Sequence, residues 1–185
     1  MSRAADMNAF LAEVEKRAYH MARFAVADRD EALDIVQDAM LTLVRRYADR
    51  PADEWRPLFF RILQSRITDH HRRAAVRRRL FGWMPRRPGA ADDAPDDGDD
   101  ALAQAPDPGP VDPARRAELD GSAAALDAAV TALPLRQQQA FLLRTVEGLS
   151  VADTAAAMGC SQGSVKTHLS RAHAALRAEL EDHWT

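Results

Sequence analysis

Eight arginines and one acid, Asp69, fall between Arg66 and Arg87. Guanidinium groups neutralise phosphates and fork onto base edges, so this density suits contact with DNA or RNA. Arg61, Ser65, Arg66, Asp69, His70, Arg72 and Arg73 could decorate one such surface on a helix. A solubilising face is the plainer reading, but eight arginines against one acid favour nucleic acid. A second polar set is Ser164, Lys166, Thr167, Ser170 and Arg171, near the start of another helix. The first turns of a recognition helix meet base edges there, and the positive end of the helix dipole favours phosphate. A third set, Asp34, Gln37, Asp38 and Leu41, recurs at steps of three or four and so shares a helical face with Arg45. An apolar residue beside two acids suits docking onto a basic partner helix; a simple solvated face fits the pattern as well.

Other reactive residue types are present without a productive arrangement. His70 and His71 are neighbours, and adjacent helical residues point about 100° apart, so they are badly placed to chelate one ion. Asp residues pair up between positions 88 and 113, but carboxylates on a flexible linker are not preorganised for a cation. The single Cys160 excludes an internal disulfide and reads as a small core residue, with a redox switch as the minor option. No Ser-His-Asp set, phosphate-cradling glycine loop or metal-ligand spacing can be placed. The expectation is a protein without catalytic residues, metal or cofactor.

The elements that must carry these sets follow from composition and charge. In 185 residues, 46% are apolar and 6% aromatic, β-branched residues are scarce and Ala is abundant, which points to helices. The net charge of −3 conceals a strong segregation. Residues 1–87 carry 18 Lys and Arg against 12 Asp and Glu; residues 88–113 carry eight Asp and no base; residues 114–185 are near balance, with seven bases and eight acids. The middle stretch is rich in Pro, Gly, Ala and Asp and cannot bury enough surface to offset ordering entropy. It is expected to be a flexible acidic linker over 86–113, joining modules at 5–85 and 114–182. No apolar run approaches the roughly 18 residues of a membrane helix. The N-terminus lacks the apolar core of a secretory signal, so a cytoplasmic protein is expected.

Helical periodicity is visible in both modules. Phe10, Leu11, Val14, Ala18, Met21 and Ala25 form one stripe. Asp28 and Glu31 suit a capping box before a second helix, whose apolar face runs from Ala32 through Ile35, Val36, Ala39, Met40, Leu43 and Val44 to Tyr47. Arg50-Pro51 ends it. A third helix is predicted from near Glu54, with Pro57 in its first turn and Trp55, Leu58, Phe59, Ile62 and Ile67 as its apolar set. In the second module Leu119, Ala123, Leu126 and Val130 predict one helix, and Arg136–Glu147 another, stopped by Gly148. Ser150 and Asp153 open a short helix to Met158, Gly159-Cys160 makes a turn, and Ser161 caps a longer helix from Gln162 to about Glu181. Short helix, tight turn and longer helix form a helix-turn-helix, with Val165, Leu169, Ala172, Leu176 and Leu180 facing the core.

These segments together resemble the extracytoplasmic-function (ECF) group of bacterial RNA polymerase sigma factors. Leu133-Pro134, Ala140–Arg144, Glu147–Ser150, Met158-Gly159 and Gly163–Ala172 are similar to that family's region four. Asp34–Asp38 resembles the region-two helix that binds the polymerase clamp, and Ile62–Arg73 the promoter-melting helix. The resemblance implies an all-α fold: a three- to four-helix region-two-like bundle and a helix-turn-helix region-four-like bundle. It implies that Asp34, Gln37, Asp38 and Leu41 bind core polymerase. Arg61, Ser65, Arg66, Asp69, His70, Arg72 and Arg73 would engage the −10 element, and Ser164, Lys166, Thr167, Ser170 and Arg171 the −35 element. Core RNA polymerase, promoter DNA and an inhibitory anti-sigma factor are the implied partners. A stand-alone helix-turn-helix regulator is the alternative, although it leaves the Asp34–Leu41 face without a purpose. A serine recombinase would need a strand-rich catalytic domain with a nucleophilic Ser near its start; only Ser2 lies there, and no strand pattern follows.

Overall fold

A computed structural model describes residues 3–81 and 121–181. The stretch expected as an acidic linker, 86–113, lies outside the described residues. Among the described residues α-helices run in the order α1 (Arg3–Ala25), α2 (Arg29–Tyr47), α3 (Ala52–Phe81), α4 (Gly121–Ala132), α5 (Leu135–Phe141), α6 (Val151–Met158) and α7 (Gln162–Glu181). Among the described residues there is no strand, in keeping with the expected all-α class.

The first three helices form a bundle around an aromatic seam. Trp55, Phe59, Phe60, Leu63 and Ile67 of α3 are almost fully buried against Val14, Ala18 and Met21 of α1 and Ala32, Val36, Ala39 and Leu43 of α2. Phe10 packs its ring on both Trp55 and Phe59, with centroids 6.0 and 6.1 Å away. Each large side chain buried here contributes about 1.5–3 kcal/mol of transfer free energy. The helix ends are tied down locally. Asp28 accepts hydrogen bonds from the backbone N–H groups of Asp30 and Glu31, both at 2.9 Å, while the Glu31 carboxylate turns to His70. Trp55 Nε1 donates to the Tyr47 carbonyl, and Arg3 donates to the carbonyls of Asp49 and Arg50, closing the α2–α3 loop.

Three sequence expectations shift in this bundle and the next. Helix α3 begins at Ala52, so Pro57 sits in its second turn. Val44 is 39% exposed and Leu126 41% exposed, though periodicity placed both on core stripes. Period alone marks a face about 100° wide; which edge is covered depends on where the neighbouring helix crosses. The segment predicted as a uniform helix over 136–147 is α-helical only to Phe141 and continues as a π-helical turn, Leu142–Val146. The wider turn ends at Gly148, whose φ of +68° is the left-handed conformation that favours glycine.

The second bundle packs Leu133 and Leu135 with Ala140, Leu142, Leu143, Leu149, Ala155 and Met158 around Val165, Ala172 and Leu176 of α7. The two bundles do not stand apart. Helix α6 lies against α3, and buried polar groups bridge the modules. Gln138 Nε2 donates to the Phe24 carbonyl at the end of α1 (3.1 Å) and to the Val130 carbonyl (3.0 Å). Gln139 Nε2 donates to Thr68 Oγ1 on α3 at 3.3 Å. The second module therefore closes over the first.

Candidate nucleic-acid interface

The helix-turn-helix is built from backbone caps. Ser150 Oγ accepts from the Asp153 N–H at 3.0 Å and donates to the Asp153 carboxylate at 2.6 Å, which starts α6. Helix α6 stops at Gly159, φ +66°, and the Cys160 N–H reaches back to the Ala155 carbonyl at 3.1 Å. Arg136, itself buried, donates to the freed Met158 carbonyl at 2.7 Å. Ser161 Oγ then accepts from the Ser164 N–H at 3.0 Å and opens α7. These bonds fix the direction in which α7 leaves the turn. Along its first turns Lys166, Thr167, Ser170 and Arg171 are exposed, and Ser164 is half-buried beside the Ser161 cap. Two of these side chains, Lys166 and Arg171, carry positive charge.

On α3 the seven expected residues separate into two groups. Arg61, Ser65, Asp69 and Arg72 line a cleft of about 260 Å³ whose opposite wall is Arg136 and the 156–159 end of α6. Arg66, His70 and Arg73, with Asp69 again, face α2 across a hollow of about 380 Å³ lined by Glu31, Asp34 and Asp38. There Arg66 Nε meets Asp38 Oδ2 at 2.8 Å, its Nη2 donates to Thr42 Oγ1 at 3.3 Å, and His70 Nε2 meets Glu31 Oε2 at 2.8 Å. Asp38 is 56% exposed and Arg66 36%, so this pair contributes only about 0.2–1 kcal/mol and does not lock either side chain.

The α2 face holds Asp34, Gln37, Asp38 and Leu41, all exposed, with Leu41 at 50%. Two more apolar residues join it. Leu33 (41% exposed) stands one turn before Gln37, and Val44 follows Leu41 by three residues. Together they make an apolar stripe beside the acids. Leu33 had a readable signal, its step of four to Gln37 and again to Leu41; Val44 was assigned to the core instead.

Sequence reasoning missed the pivot between the modules. The Glu147 side chain, at the end of the π-helical turn, is fully buried. Its Oε2 accepts from Arg56 Nη1 of α3 at 3.0 Å and lies 3.8 Å from Arg17 Nη1 of α1. Burial raises its proton affinity above that of an ordinary carboxyl group, and this outweighs the opposing pull of Arg17 and Arg56. No local pattern could announce a contact between residues 91 positions apart. Gln138 likewise has no surface role in this arrangement; it is spent on the two carbonyls it bridges.

Comparison with known proteins agrees with the geometry. Residues 123–176 match the family described as Sigma-70, region 4. The ECF RNA polymerase sigma factor SigF of Caulobacter vibrioides is 31% identical over 169 residues, covering 90% of this chain and 80% of the relative. The RNA polymerase sigma-E factor of Streptomyces avermitilis is 31% identical over 172 residues, covering 87% of this chain and 89% of the relative. The crystal structure of the Bartonella quintana sigma factor RpoE, in complex with the anti-sigma factor NepR, superposes with a TM-score of 0.58 at 22% identity. That match spans 93% of this chain and 96% of the other, and supports the fold. With two curated relatives above 30% identity over most of its length, and with a helix-turn-helix carrying the region-four match, this chain belongs to the ECF sigma factors, which direct RNA polymerase to promoters.

Proposed function

We propose a division of this role among three surfaces. The α2 face of Asp34, Gln37, Asp38 and Leu41, widened by Leu33 and Val44, docks onto basic helices of core RNA polymerase. Its apolar stripe supplies burial and its acids supply steering. Arg61, Ser65, Arg66, Asp69, His70, Arg72 and Arg73 on α3 capture unstacked bases and phosphates of the −10 element. Ser164, Lys166, Thr167, Ser170 and Arg171 at the start of α7 read the −35 element in the major groove. The first unit then occupies 5–85 and the second 114–182. The acidic stretch between them, with eight Asp and no base over 88–113, passes through basic channels of the polymerase.

The observation that carries this reading is the start of α7. Lys166, Thr167, Ser170 and Arg171 are exposed on a helix whose exit angle is set by three capping interactions, at Ser161, Gly159 and Arg136. An inhibitory protein partner is also proposed, because the related RpoE is crystallised with an anti-sigma factor. Run-off transcription with core polymerase on a promoter library tests the assignment. Specific start sites that vanish on combining Lys166→Ala with Arg171→Ala would support it. Absence of any specific start would overturn it. A stand-alone regulator would instead bind promoter DNA with full affinity in the absence of core polymerase.

A further inference from the structure

The contact that closes the second module over the first is chemically unusual. Four charges meet where α1, α3 and the turn before α6 converge: Glu13 and Arg17 on α1, Arg56 on α3, and Glu147. Glu147 is the member with no access to water. It is also the least well served. Glu13 takes Arg17 Nη2 at 2.9 Å and Arg56 Nη2 at 2.5 Å, so both guanidiniums are shared. Among the described residues only Arg56 is within hydrogen-bond distance of the Glu147 carboxylate, and Arg17 stands off at 3.8 Å. The second carboxylate oxygen, Oε1, is buried with no hydrogen-bond partner among the described residues. A buried carboxylate needs most of its lone pairs answered before attraction repays its lost hydration.

The π-helical turn enforces this placement. Its wider ring carries the Glu147 N–H to the Leu142 carbonyl at 3.0 Å, and beyond it the Leu149 N–H reaches back across Gly148 to the Leu143 carbonyl at 3.0 Å. The chain is thereby delivered to Gly148 with Glu147 turned into the first module. Such turns recur where a functional residue must be aimed against the ordinary helical repeat.

We propose that Glu147 is a built-in opener of the closed form: an under-paired buried charge that holds the module interface in one register while keeping it weak enough to part. The proposal rests on the α3 assignment above, since closure stands α6 over Arg61, Ser65, Asp69 and Arg72. Promoter DNA reaching those residues has to displace α6. Apolar packing and the Gln138 and Gln139 bonds hold the modules together. The charge at Glu147 opposes them, and its higher affinity for a proton in the buried site has the same origin. An open form populated at a small fraction is enough for partners to select it.

The test measures closure without reference to transcription. Donor and acceptor dyes are placed at Ala12→Cys and Ala175→Cys, both exposed positions, in a full-length Cys160→Ala background. Energy transfer then reports the closed fraction. Glu147→Gln keeps the shape and an acceptor for Arg56 but removes the charge, so the open fraction should fall several-fold. Core polymerase should then open the chain more slowly. Arg17→Gln with Arg56→Gln leaves the carboxylate buried without a counter-charge, and the open fraction should rise about tenfold or more. If Glu147→Gln opens the chain as the double arginine variant does, Glu147 is an ordinary holding ion pair and the proposal fails. Equal energy transfer in all three proteins would overturn it too. Thermal unfolding of each variant separates module parting from loss of fold. Should the dyes respond as expected while transcription shows no specific start, the promoter assignment alone is wrong.

Discussion

The same substitution, glycine to alanine, should have opposite signs at two sites four residues apart in the helix-turn-helix. At Gly159 the backbone sits at φ +66°, and an added Cβ would meet nothing within 4 Å. No clash arises, so the cost is purely conformational. Placing an L-residue in the left-handed region costs about 1–2 kcal/mol. Alanine also narrows the unfolded ensemble, which returns about 0.4–1 kcal/mol. Gly159→Ala should therefore destabilise by about 1 kcal/mol net, which for a chain of this size lowers the unfolding temperature by about 2–4 °C. Gly163 lies in the first turn of α7, and its added Cβ would make ordinary contact with Ser161 Oγ at 3.6 Å. Gly163→Ala gains helix propensity at no steric cost and should stabilise by about 0.5 kcal/mol. Urea unfolding followed by circular dichroism gives both values. Gly159→Asn, which tolerates the left-handed region better, should fall between wild type and Gly159→Ala. A neutral Gly159→Ala, or a Gly163→Ala that destabilises, would refute the reasoning. The Gly159 result would mean that the turn does not need its left-handed residue.

Other expectations follow from individual contacts. Lys166→Ala or Arg171→Ala should weaken binding to a −35 duplex by about 1–3 kcal/mol if the contact is to a base, measurable by fluorescence anisotropy at fixed salt. Asp38→Lys should reduce affinity for core polymerase in a pull-down, while the −35 affinity read under the same salt conditions stays within error. Replacing the eight Asp of residues 88–113 by Asn should change the pattern of abortive transcripts. Unchanged products would exclude a role for this stretch in promoter escape. Closure should also depend on pH through Glu147. Its closed-form proton affinity lies above the ordinary carboxyl value of 4.5, so the closed form binds the extra proton more tightly. Acidification from neutrality toward 4.5 should then strengthen closure, with no further gain from this group below it, and the dependence should vanish in Glu147→Gln.

Much of the architecture was legible because its causes are local. Periodic apolar residues, Asp28, Ser150 and Ser161 as caps, and Gly148 and Gly159 as left-handed stops act within one or two helical turns. The all-α class, the helix-turn-helix and the exposed polar start of α7 follow from them. The edges of the apolar faces were less legible. Val44 and Leu126 satisfy the period and remain exposed, because coverage depends on where another helix crosses. The π-helical turn also escaped notice; Leu142–Val146 is a sound helical sequence, and the wider ring depends on what Leu143 and Glu147 must reach.

By itself the sequence determined the helices, most of their caps and the segregation of charge into a basic first module, an acidic middle stretch and a near-neutral second module. Tertiary structure alone decided what those charges do. Asp38 and Arg66, assigned to different partners, meet each other at 2.8 Å. Glu147, one acid among 28, has its side chain buried against Arg56 with Arg17 nearby, while Glu13, paired with the same two arginines, stays exposed. The physical reason is that the behaviour of a charge is set by its solvent access and its neighbours. Both are properties of chain segments brought together from far apart, and neither is written at the position of the residue itself.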